Sequence, residues 1–153
     1  MTEPVDEALE ALRTHFASLA IGTHTSYDVC FSEGVVAEYA TRTQIAYPGR
    51  NLDRAGARIV PPGMLFVGPT VVFGLKDGPR GAMGGIFTDT NRRYLGAVHL
   101  GETVRFEASV TGKFLRRGRY YIEVTWRAFL PSGAEAASGK EVHTLGMVRE
   151  PQP

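Results

Sequence analysis

Two stretches near the C-terminus restrict the fold most. Val104, Phe106, Ala108 and Val110 alternate with Arg105, Glu107 and Ser109, and Ile122, Val124, Trp126 and Ala128 alternate with Tyr121, Glu123, Thr125 and Arg127. A period of two sends successive side chains to opposite faces of a strand. Adjacent runs with one apolar and one polar face predict antiparallel strands packed on a core from one side. Trp126, in step with Ile122 and Val124, belongs in that core. Thr111 to Arg119 reads as a basic hairpin loop between the two runs, and Pro131-Ser-Gly133 as the turn into a last strand ending near Met147. Ile86 and Phe87 begin another strand. Tyr27, Val29 and Phe31 alternate with Ser26, Asp28 and Cys30 in an earlier one. Eighteen glycines, in a chain where about 7% glycine is usual, fit a turn-rich β protein.

The rest of the chain is helical in pattern. Val5, Leu9, Leu12, Phe16 and Leu19 recur at helical spacing and predict a helix from about Pro4 to Leu19. Ser32 can cap a short helix carrying Val35, Val36, Tyr39 and Ala40 on one side. Periodicity vanishes from Thr43 to Arg58. From Pro61 to Gly78 the chain is apolar nearly all round and too long for a strand, which predicts a buried central helix over about 62–76. Pro69 conflicts with an unbroken helix, so Gly68-Pro69 marks either a kink or the helix's real start. The expected fold is α+β, a curved antiparallel sheet wrapped around a long central helix. No repeat or linker divides it, so residues 1–153 read as one domain.

Composition excludes several function classes. The chain is 43% hydrophobic and 22% charged, with a formal charge of +1, which gives no field to attract nucleic acid or an acidic membrane. No apolar run approaches the roughly 18 residues needed to cross a bilayer, and the acidic N-terminus lacks a signal-peptide pattern, so a cytoplasmic location is expected. Cys30 is the only cysteine, which rules out an intrachain disulfide; it reads as a buried structural thiol. His24, His99 and His143 are too scattered for a metal site. His99 and His143 read as structural, although His143 points into a pocket if its strand curls, and His15 reads as a surface residue. No metal or cofactor is expected.

Two segments resemble the MaoC-like dehydratase/hydratase family of hotdog proteins, including relatives with a fatty-acid-synthase-type dehydratase domain. Gly56-Ala-Arg-Ile-Val-Pro-Pro-Gly-Met64 is similar to the small-residue loop before the family's central helix. Tyr94-Leu-Gly-Ala-Val-His-Leu-Gly-Glu-Thr-Val104, with Arg117-Gly-Arg and Gly133, is similar to its glycine-acid-threonine-valine strand, hairpin and glycine turn. The likeness covers roughly residues 20 to 147. It implies a hotdog fold, a dimer joined sheet to sheet, and an active site between protomers. The partner is another copy or a second hotdog protein.

The family's hydratases carry an Asp-x-Asn-Pro-x-His motif whose Asp and His activate water at a 2-enoyl thioester. Aligned on Tyr39-Ala40 and Pro48, the Asp, Asn and His positions hold Ile45, Tyr47 and Arg50. Isoleucine transfers no proton and arginine stays protonated, and no histidine lies between His24 and His99. The usual pair is absent. Tyr47 as a proton donor, Arg50 as an oxyanion binder and Asp53 as a base are the catalytic candidates. Their alternative is a polar surface loop in which Arg50 and Asp53 pair. Gly63 matches the family glycine whose N–H polarises the thioester carbonyl, with Met64 beside it; close helix–sheet packing is the other reason for a glycine there. Arg92, Arg93, Arg116 and Arg117, with Lys113 and Arg119, are candidates for the phosphates of coenzyme A or an acidic carrier protein, or are solvated loop charges.

The resemblance implies an enzyme acting on an acyl thioester of coenzyme A or an acyl carrier protein, or on a related biosynthetic intermediate, with an altered hydratase/dehydratase site. The alternatives are a non-catalytic partner subunit of a heteromeric dehydratase and a binder of hydrophobic small molecules. A thioesterase fits less well, because no acid lies between Pro61 and Leu75.

Overall fold

The computed structural model describes residues 3–43, 52–66, 72–74, 78–79 and 82–151. Five antiparallel strands form one sheet: β1 (His24–Cys30), β2 (Phe87–Tyr94), β3 (Thr103–Arg116), β4 (Arg119–Phe129) and β5 (Glu135–Thr144). Their spatial order is β1-β3-β4-β5-β2. Two α-helices, α1 (Glu3–Ser18) and α2 (Glu33–Thr43), flank β1 in sequence, and Pro62–Phe66 forms a 3-10 helix.

The alternation read from the sequence sets the inner face. Val104, Phe106, Ala108 and Val110 of β3 are buried, as are Ile122, Val124, Trp126 and Ala128 of β4. Register aligns Ala108 with Trp126 and Trp126 with Gly139, so the indole sits mid-sheet. There a Cβ on Gly139 would lie 2.7 Å from the ring. Only glycine leaves room for the tryptophan. The segment expected as a hairpin loop is mostly strand, because β3 runs to Arg116 and only Arg117-Gly118 turn. Their φ values of 50° and 72° give the left-handed two-residue turn that suits twisted strands.

Helix α1 buries Ala8, Leu9, Leu12 and the following Leu19, while Val5 stays exposed. Lys113 of β3 caps its C-terminal end, donating to the Phe16 and Leu19 carbonyls at 2.7 Å each; a cation there also opposes the helix dipole. Arg13 grips Glu150 through two hydrogen bonds, and Tyr120 donates to the same carboxylate. This pulls Glu150 down to about 2. His15 is no free surface residue, since its Nε2 lies 2.7 Å from the Phe73 carbonyl. Helix α2 starts as expected at Ser32, whose Oγ accepts from the Val35 amide.

The central segment departs from expectation. Of the helix anticipated over 62–76, residues 62–66 form a 3-10 helix closed by Met64 N–H donating to Pro61 O (2.9 Å), and residues 72–74 form a turn; residues 67–71 and 75–77 lie outside the described residues. Gly63, Gly68, Pro69 and Gly74 punctuate the stretch, and glycine and proline are the poorest α-helix formers. The apolar character still serves the core, with Met64, Leu65 and Phe73 buried. Cys30 also corrects the reading. It is exposed, because it shares the outward face of β1 with Ser26 and Asp28.

Gly139→Ala should destabilise the chain by about 1–3 kcal/mol, the usual cost of overpacking. Alanine at Gly133, where φ is +84° but no atom lies within 4 Å of an added Cβ, should cost only the strain of that turn; urea unfolding compares the two. Glu150 titrates lower folded than unfolded, so its contribution is present above the ordinary carboxylate range and lost as pH falls from about 4.5 towards 2. Arg13→Ala should flatten that part of the stability–pH curve.

Candidate functional site

An apolar cleft of about 320 Å³ opens between β1, α2 and the 3-10 helix. Val29, Phe31, Val35, Tyr39, Met64 and Phe106 line it, with Glu38 and Arg42 at its rim. The rim charges pair with each other at 2.6 Å. Met64 is thus part of the cleft wall. Gly63 is half-buried in the same 3-10 helix, and that five-residue element offers a much smaller aligned dipole than the long helix anticipated.

Beside the cleft, residues 52–58 make a tight loop closed by a bridge between Leu52 and Arg58. Asp53 organises it. Its Oδ1 accepts from the amides of Ala55 (2.9 Å) and Ala57 (2.8 Å), and its Oδ2 lies 2.9 Å from Nε2 of His99. Bonding to His99, then to the Ala57 amide, holds the Asp53 carboxyl below its usual range. Glu102 accepts from the His99 amide at 2.7 Å. The loop also joins α2 through Arg58 and Glu33 at 2.8 Å, and Phe31 bonds through its backbone to Gly101 and Glu102. Asp53 therefore anchors this loop, with Oδ1 taken by two amides and Oδ2 beside the imidazole. Its partner is His99, which sequence spacing alone did not connect to it. Tyr47 and Arg50 lie outside the described residues.

Neither a protein-family model nor a curated protein matches the sequence. Solved structures do. An (R)-hydratase from A. caviae involved in PHA biosynthesis is 25% identical, with a TM-score of 0.63 over 84% of this chain and 98% of that one. A MaoC-like dehydratase from Rhodospirillum rubrum is 14% identical, with a TM-score of 0.59 over 89% and 97%. The ChsH1–ChsH2 complex from Mycobacterium tuberculosis contains a chain 13% identical, with a TM-score of 0.54 over 82% and 97%. This chain has the MaoC-like hotdog fold.

The candidate cations of the hotdog domain divide once placed on it. Arg92 lies within strand β2, not in a loop; its Nε donates to Glu141 at 2.9 Å, and its guanidinium sits 6.0 Å from the Phe87 ring. Arg93, one residue on, faces outward and is exposed. Lys113 is taken up by α1, and Arg119 donates to the Met147 carbonyl at 3.0 Å. Arg116 and Arg117 stand exposed at the β3–β4 turn. Of the set, Arg93, Arg116 and Arg117 keep the exposure that a phosphate or carrier contact needs.

The inner face also holds His143, read from the sequence as structural or pocket-facing, and Glu141, which the sequence reading did not single out. Glu141 of β5 is 1% exposed and His143 is 4% exposed. Burial pushes His143 below the usual histidine range, and its Nδ1 lies 3.2 Å from the Thr144 carbonyl. A carbonyl only accepts, so Nδ1 carries the proton and Nε2 is a bare acceptor. Glu141 Oε2, Tyr27 Oη, Trp126 Nε1 and His143 Nε2 have no hydrogen-bond partner among the described residues. Each such group costs about 1–3 kcal/mol. A signal was present in the sequence, because Ala137, Gly139, Glu141 and His143 share one strand face and a carboxylate interrupts it.

His99→Ala should release the loop without unfolding the domain. Asp53 titrates lower folded than unfolded, so its hold is complete above the ordinary aspartate range and lost as pH falls through the depressed value. The variant should return the Asp53 carboxyl towards its usual range and speed amide exchange at Ala55 and Ala57. Unchanged exchange at both amides would show that the backbone turn alone holds the loop.

Proposed function

We propose that the domain binds an acyl thioester of coenzyme A or an acyl carrier protein and carries out hydratase- or dehydratase-type chemistry on it with a non-standard active site. The cleft carries this reading. Its lining is almost wholly apolar, its volume suits an acyl chain, and it belongs to a fold shared with an (R)-hydratase at 25% identity. In this proposal the chain lies against Phe31, Met64 and Phe106, and the thioester head reaches the segment that carries Tyr47 and Arg50. Those two are the proposed proton donor and oxyanion partner. Asp53 serves the reaction by fixing the loop through His99, and the Gly63 amide is the proposed donor to the thioester carbonyl. Arg93, Arg116 and Arg117 are the proposed contacts for the phosphates or the carrier.

A second reading has specific support. Strand β2 is a sheet edge exposed along nearly its whole length, with Phe87 and Tyr94 on it and Ile86 and Leu95 beside it all more than 40% exposed. An open edge flanked by exposed apolar side chains invites another strand. With the Asp/His pair missing, the chain suits the role of a partner that holds the acyl group while a second hotdog subunit supplies the pair. Either assembly, homodimer or heterodimer, would cover that edge.

Hydration of crotonyl-CoA by the purified chain, followed by loss of enoyl absorbance, separates the readings. Turnover is expected, reduced at least tenfold by Tyr47→Phe or Arg50→Ala and only modestly by Asp53→Asn. Tight thioester binding without turnover would instead favour the partner subunit. Failure to bind any thioester would sink both.

A further inference from the structure

Hydration in the proposed site has donors, in Tyr47, Arg50 and the Gly63 amide, but no base. Adding water across an enoyl double bond needs one, because the attacking water must lose a proton. His99 lies where the segments that carry those donors are tied together. On one side Asp53 holds its ring, Oδ2 to Nε2 at 2.9 Å. Arg50 precedes Asp53 by three residues, at most about 11 Å of chain. On the other side Ile59 bridges to His99, and the Val60 amide donates to the Val98 carbonyl at 2.8 Å. Gly63 follows Val60 by three residues, and Met64 after it lines the cleft. Phe31, also in the cleft wall, donates to the Glu102 carbonyl at 3.0 Å and accepts from the Gly101 amide at 2.9 Å.

The contacts of the ring set its tautomer. An ionised carboxylate only accepts, so Nε2 carries the proton and the neutral ring presents Nδ1 as an acceptor. No described group donates to Nδ1. Glu102 Oε2 lies 3.7 Å from it and accepts instead from the His99 amide at 2.7 Å. The side chain is 40% exposed, so water reaches it. A carboxylate on each side also favours the imidazolium that proton uptake creates. Arg58, beside Ile59, adds a cation to the neighbourhood and pairs with Glu33 of α2 at 2.8 Å.

We infer that His99 is the general base of the hydration, with Asp53 as the residue that positions it. This rests on the acyl-thioester reading and supplies the group that reading lacks. Nδ1 takes a proton from water as the water oxygen bonds to C3 of the enoyl thioester. The C2–C3 π electrons pass towards C2 and the thioester oxygen, and C2 takes its proton from Tyr47. The imidazolium then returns a proton through solvent to the Tyr47 phenolate, and both groups regain their starting states.

The pH dependence of kcat/KM for crotonyl-CoA hydration, measured on the full chain and on His99→Gln, tests the assignment. Glutamine keeps an N–H for Asp53 but takes up no proton, so the loop stays tied while the base is lost. The value should fall about 100-fold, within the usual contribution of a general base, and the wild type's loss of rate towards acid pH should vanish. Asp53→Asn keeps an oxygen for the ring and should lose less. Imidazole added to His99→Ala should restore part of the turnover, which a purely structural histidine would not allow. Thermal unfolding shows whether His99→Gln folds, and where it does not, the imidazole rescue decides. A His99→Gln variant within about threefold of the wild type, its acid limb unchanged, overturns the base and leaves the acyl-thioester reading standing. Binding of crotonyl-CoA by the wild type without turnover overturns the base and the catalytic reading together, and leaves the partner subunit.

Discussion

The contact of the Trp126 indole with Gly139 sets the geometry of the inner face. The ring lies where a side chain on β5 would otherwise stand, which only glycine permits. That places the largest fully buried side chain of the domain in the middle of the sheet. From there the ring contacts pass to Phe106 and on to Tyr27, so the strand at one edge is aligned by the same stack that fills the centre. The cleft inherits a rigid wall from this arrangement, because Phe106 has aromatic neighbours on both sides. Aromatic pairs of this kind add about 0.5–1.5 kcal/mol beyond their burial.

A second set of ties fixes the far end of the sheet. Helix α1 is held by a lysine from β3 at its C-terminal carbonyls, and Arg13 joins it to Glu150 of the C-terminal segment. Glu150 in turn bonds through its backbone to Gly118 at the β3–β4 turn, where an added Cβ would meet the Glu150 carbonyl at 2.7 Å. Charges that look like free surface groups in the sequence are thereby consumed in structure. The exposed cations that remain are fewer and better defined than the sequence alone indicates.

The strands were legible because each long one keeps its period of two, and an open sheet with one buried face enforces that period residue by residue. Helix α1 and the Ser32 cap were legible for the same local reason. The 62–76 segment was not. An all-round apolar run carries no period to distinguish an α-helix from tighter turns, and its glycines and prolines then decided the described part. Cys30 reads as buried on apolar character alone, whereas its register with Ser26 and Asp28 on the same face gives the outward direction. Asp53 and His99 are 46 residues apart in sequence, and no local pattern connects them. Glu141 was the reverse case, visible as a carboxylate on an otherwise apolar face but lost among the strand's solvent-facing charges.

Among the described residues the one Asp–His pair in contact, Asp53 with His99, gives its carboxylate to two amides and the ring. A carboxylate, an indole N–H and a phenol also lie on the buried inner face. A buried ion pair such as Arg92–Glu141 is seldom a gain for stability, since apolar residues of similar volume often serve as well or better. The Glu141 oxygen that Arg92 leaves free, with the Trp126 indole N–H and the Tyr27 phenol, finds no partner among the described residues, so this inner face is held by its aromatic packing and carries polar groups at a cost of about 1–3 kcal/mol each.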